Sequence, residues 1–158
     1  MFMAALTLMV STGLFFFYVQ TACQKILRRQ FAQHFAQSIV SANRLEFPAV
    51  RKALQGMGGR MDYSRLAQTL NCDFLALTYL LKNAANVNQR YTYEERLLIL
   101  YFKVNFYGMV FRHLLNLREA PAALKLTAVL EYFANVVGER VNAVRFSNLT
   151  ASDYLLNL

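Results

Sequence analysis

From Phe2 to Ala22 the chain runs for 21 positions without a charged side chain, and Lys25, Arg28 and Arg29 follow within the next seven residues. At about 1.5 Å of rise per residue, 21 helical residues reach about 30 Å, the thickness of a bilayer's hydrocarbon core. In lipid such a segment has to satisfy its own backbone groups, which makes it a helix. The run therefore reads as a transmembrane anchor over residues 1–23, with Phe2, Leu6, Val10, Leu14, Phe15, Phe16, Phe17 and Tyr18 as its membrane-facing residues. Its uncharged start, Met1-Phe2-Met3, and its length are those of a retained span rather than a signal peptide. The cations that follow place the rest of the chain inside. The expectation is a single-pass protein of the cell inner (plasma) membrane, with the N-terminus out and a cytoplasmic C-terminal domain.

All of the formal charge of +8 lies beyond the span. Residues 24–65 carry eight basic side chains against Glu46 and Asp62, while the remainder is nearly balanced. The basic excess sits next to the bilayer, where each Lys or Arg gains about 1 kcal/mol from anionic head groups. Anionic lipid head groups are accordingly one expected partner, with Lys25, Arg28 and Arg29 closest to them. The two cysteines, Cys23 and Cys72, have no CxxC spacing; no disulfide is expected in a cytoplasmic domain, and Cys72 reads as a small buried residue.

Leu27, Phe31, Phe35 and Ile39 recur every four residues, and no Gly or Pro interrupts Leu14 to Glu46. This predicts one long helix in which the span continues as an amphipathic stalk over residues 24–45. Residues 46–158 then form the cytoplasmic helical domain. Pro48 sits at the first turn of a short helix ended by Gly56, Gly58 and Gly59. Helices over 63–70 and 74–85 follow, separated by a turn at Asn71-Cys72-Asp73 in which Asp73 is the N-cap of the second. Thr92 and Glu95 have capping-box spacing and start a helix to about Leu117. Pro121 starts another to about Phe146, and Thr150 to Asp153 open a last turn or two. No alternating β pattern competes, so the class is all-α: one N-terminal transmembrane helix continuing into a stalk, followed by a compact helical bundle.

At 100° per residue, the helix from Tyr93 has two apolar faces, separated by Arg96 and Lys103 on one side and Glu94, Asn105, Arg112 and Asn116 on the other. A helix of this kind packs on both flanks. With Phe31 and Phe35 of the stalk, its Tyr101, Phe102, Phe106, Tyr107 and Phe111 are the candidate partner interface. Lys103 and Arg112 argue against a second crossing, at about 2.5–3.5 kcal/mol each at the bilayer centre. The helix from Pro121 has one apolar arc and reads as an ordinary surface helix with Glu131 and Glu139 in solvent.

Leu66 to Asp73, followed by Leu77 and Leu80, resembles the helix-turn-helix of DNA-binding regulators over about 20 residues. That resemblance implies a second helix offering polar side chains to base edges. Here its outward positions are Phe74, Leu75, Thr78 and Tyr79, with Lys82 alone basic, so nucleic acid is not the expected partner. A membrane-tethered regulator of this type is the alternative reading of function.

His34 and His113 are the two histidines; His is the usual haem ligand, which makes them the candidates for a pigment or haem, but a lone His near an apolar stripe reads first as a boundary residue. No phosphate-binding loop, metalloprotease motif or nucleophile elbow occurs. No catalytic residue, metal site or cofactor is expected. The leading expectation is a non-catalytic accessory or structural subunit of a larger membrane complex, respiratory or photosynthetic assemblies being the natural homes, with the complex's other subunits as partners.

Overall fold

A computed structural model describes residues 2–31, 33–56, 62–83 and 90–156, with backbone alone at residue 2 and over 146–156. Six helices and no strand occur among these residues: α1 (Phe2–Leu27), α2 (Ala36–Asn43), α3 (Phe47–Gln55), α4 (Tyr63–Asn83), α5 (Tyr93–Leu114) and α6 (Ala120–Leu156). The all-α class, with an N-terminal apolar helix followed by a helical bundle, is as the sequence predicts. Gly58 and Gly59 of the expected joint lie outside the described residues.

α1 is long and apolar enough to cross a membrane, and nothing in its most apolar window is buried by the rest of the chain. Thr7, Thr12 and Thr21 each donate their hydroxyl to the carbonyl four residues earlier, which satisfies them without water. The stalk expected over 24–45 does not continue this helix. α1 ends at Leu27, the chain turns, and α2 folds back against α6. Packing on α6 overrides the uninterrupted helical pattern. The Phe31 ring meets Tyr132 edge to face at 5.4 Å, Phe35 packs at Gly138, and the Ala36 amide donates to Asn135 Oδ1 at 2.9 Å.

α6 is the central element and touches each of the other five helices. From Leu126 to Gly138 only Ala128 and Glu131 escape full burial. The expected surface helix is thus the core helix, because α2, α3, α4 and α5 each cover part of its circumference. Leu66, Leu70, Phe74, Leu77 and Leu81 of α4 form a helical stripe in the same core, where Phe74 stacks on Phe102 at 4.0 Å.

No turn forms at Asn71-Cys72-Asp73. α4 runs unbroken, which removes the helix-turn-helix geometry. Asp73 is buried instead, and its Oδ2 accepts from the amides of Glu46 (2.9 Å) and Phe47 (2.7 Å) at the start of α3. The residue expected to cap its own helix caps another one. Cys72, on the outer side of α4, is exposed, whereas Cys23 is fully buried. The expected final helix from Thr150 is simply the continuation of α6.

The capping box of α5 is present: Glu95 Oε2 accepts from the Thr92 amide at 3.0 Å, and Thr92 Oγ1 from the Glu95 amide at 3.4 Å. Glu95 also receives Arg140 Nη2 on its other oxygen at 2.5 Å, and Arg140 Nη1 donates to the Leu81 carbonyl at 2.7 Å. One guanidinium thereby ties the start of α5 and the end of α4 to α6.

Candidate docking surface

Every side chain from Met3 to Tyr18 is exposed, including Leu6, Val10, Leu14, Phe15, Phe16, Phe17 and Tyr18. Of Phe2 only the backbone is described. Lower down, Val19, Ala22, Cys23, Ile26 and Leu27 turn inward against the bundle. Lys25, Arg28 and Arg29 are exposed at the end of α1. Arg29 lies 3.8 Å from Glu139 and 5.5 Å from the centre of the Phe31 ring. Glu131 likewise pairs with Arg51, so both acids of α6 expected in solvent meet cations from neighbouring segments while staying partly exposed. Burial raises the Tyr132 hydroxyl above its ordinary pKa, and Glu94, which accepts from it at 3.3 Å, adds to the rise.

α5 does have two apolar faces, and the structure assigns them opposite fates. Leu98, Tyr101, Phe102 and Met109 are buried in the core. On the opposite side run Tyr93, Leu97, Leu100, Val104, Tyr107, Phe111 and Leu114, separated alternately by four and three residues. Leu97 is half-buried and the other six are exposed; Tyr107, Phe111 and Leu114 are 70%, 62% and 72% accessible. Of the expected interface residues, then, Tyr101 and Phe102 belong to this chain's own core, and Phe31, Phe35 and Phe106 are half-buried against it. Only Tyr107 and Phe111 stand free. Tyr93, Leu97, Leu100, Val104 and Leu114 lie outside the expected set, although their alternating four- and three-residue spacing with Tyr107 and Phe111 is present in the sequence.

Between α1 and α5 lies a cleft of about 540 Å³, to which Phe15, Phe16 and Val19 contribute from one wall and Leu97, Leu100 and Val104 from the other. The outward stripe of α5 is therefore continuous with the exposed surface of the apolar helix. No family model, curated protein or solved structure matches the chain.

The histidines do not come together. His34 is exposed beside Gln37, Arg51 and Glu131. His113 stacks on Tyr63 with ring centres 3.6 Å apart and meets Glu119 Oε1 through Nδ1 at 2.5 Å. Its ring thus has a structural partner on its face and another at its edge. Among the described residues no three His, Cys, Asp or Glu side chains form a group fit to hold a metal.

Proposed function

We propose that this chain is a non-catalytic accessory subunit of a larger membrane complex, anchored by α1 in the cell inner membrane with its helical domain on the cytoplasmic side. The observation that carries the reading is the outward face of α5. Six large apolar residues on one helix, next to the apolar surface of α1, form a contiguous patch of a kind that soluble surfaces rarely leave bare. The exposed Lys25, Arg28 and Arg29 support the topology and suit anionic head groups.

Membranes containing the full chain test this directly. Alkaline washing should leave it in the pellet, and protease should reach the domain only from the cytoplasmic face. After mild detergent extraction, a native gel with mass spectrometry should show it in stoichiometric amount within one large assembly. Migration as a free monomer would overturn the reading.

A further inference from the structure

We infer that the outward stripe of α5 is the seam for a single helix of the neighbouring subunit, one with its own apolar stripe at alternating three- and four-residue spacing and acidic side chains along one flank. This rests on the accessory-subunit reading and names the partner's chemistry.

The spacing carries the first half. Tyr93, Leu97, Leu100, Val104, Tyr107, Phe111 and Leu114 alternate steps of four and three without a break over three heptads. That average of 3.5 keeps a narrow seam pointing in one direction, which is the geometry of knobs-into-holes packing between two helices. A helix adapted to a lipid surface or a broad protein core shows a wider apolar arc. In heptad terms Leu97, Val104 and Phe111 take the first apolar position, and Tyr93, Leu100, Tyr107 and Leu114 the second. The core-facing Glu95, Phe102 and Met109 then fall diametrically opposite. Beside Tyr107 stands Gly108, where a Cβ would meet nothing within 4 Å. A second backbone can approach closely there.

Charge carries the other half. The positions flanking the second apolar residues are Arg96 and Lys103, both exposed, followed by the half-buried Val110. Neither cation is held in an ion pair among the described residues. In a two-helix seam these positions face the flanking residues of the partner and select opposite charge. A second copy of this chain does not supply it. Its other flank offers Glu94, which already accepts from Tyr132, then the buried Tyr101 and the exposed, uncharged Gly108. The occupant is a different helix, with Asp or Glu placed to meet Arg96 and Lys103. The stripe leads into the cleft beside Phe15 and Phe16, so the incoming helix also touches α1.

A benzophenone crosslinker placed singly at positions 100, 104, 107 and 111 of the full chain, in its native membranes, reads this out. The expected result is attachment of all four to one segment of one polypeptide, at sites stepping by three or four residues beside acidic ones. Reversing Arg96→Glu and Lys103→Glu together should lower the fraction in the assembly about tenfold, because like charges would then face each other along the seam. Circular dichroism of the purified double variant should be unchanged, and reversing the facing acids should restore assembly. Crosslinks to lipid alone, or to a second copy, overturn the seam. If the native gel still shows the assembly, the subunit reading survives that result; if the chain runs free, both fall.

Discussion

Phe35, the last residue before α2, packs its side chain where Gly138 of α6 has no Cβ. A Cβ at 138 would overlap the Phe35 Cβ and stand 2.8 Å from its Cγ. A Cβ cannot swing aside as a side-chain tip does, so relief requires the turn between α1 and α2 to move. Helix propensity alone favours Gly138→Ala by about 1 kcal/mol. Overpacking costs about 1–3 kcal/mol. The variant should therefore lose up to about 2 kcal/mol in thermal unfolding of the full chain in detergent, and adding Phe35→Gly, which removes the Cβ it meets, should reverse the steric part. A higher melting temperature for Gly138→Ala would show that the notch has no steric role.

Asp73 holds the first amides of α3 with a carboxylate buried between helices. Burial raises its pKa above the ordinary value, and the amides of Phe47 and Glu46 only partly offset this. An acid with a raised folded pKa stabilises the fold below its unfolded pKa and loses that contribution as pH climbs through the folded one. Asp73→Asn keeps an acceptor and removes the buried charge. Relative to the native chain, it should gain stability as pH rises from below 3.8 towards neutral. Asp73→Ala also removes the charge but leaves two amides without a partner, so it should lie about 1–3 kcal/mol per amide below Asp73→Asn at every pH. Urea denaturation at a series of pH values separates the three. Parallel curves for Asp73→Asn and the native chain would contradict the charge argument.

The two faces of α5 predict opposite phenotypes. Phe102 is core, and Phe102→Ala should cost about 3–5 kcal/mol. Phe111, 62% exposed on the outward stripe, should change folding stability by no more than about 0.5 kcal/mol when truncated to Ala. The same change should release the chain from its native assembly. Thermal unfolding and a native gel on the same pair of variants check this, and equal loss of stability in both would abolish the distinction between the faces.

The all-α class, the apolar first helix, the proline start of α3 and the Thr92–Glu95 box were legible because each depends on local pattern. Position within the bundle was not. Two apolar faces mark α5 as the helix to be packed on both flanks and a single arc marks α6 as a surface helix, yet α6 is central because Asn135 and Gly138 accommodate neighbours, while α5 keeps one face bare. The break after Leu27 was hidden for the same reason: its cause, Asn135, lies 99 residues from Ala36 in sequence. The turn expected at Asp73 rested on that residue's capping preference. The preference was real, but the helix it serves is α3.

Arg140 and Glu95 form the most buried ion pair among the described residues, with side chains 17% and 3% accessible. Arg140→Leu removes the partner of a carboxylate that cannot reach water and also strips a donor from the Leu81 carbonyl. Breaking such a pair from one side costs about 3–5 kcal/mol. The expected unfolding midpoint is correspondingly low. Adding Glu95→Gln to Arg140→Leu removes the stranded charge while the Gln can still reach back to the Thr92 amide, so the double variant should be more stable than Arg140→Leu alone. Denaturant titration of the two variants decides it. Arg140→Leu within 1 kcal/mol of the native chain, or a double variant less stable than the single, would show that the guanidinium is not what ties α4 and α5 to α6.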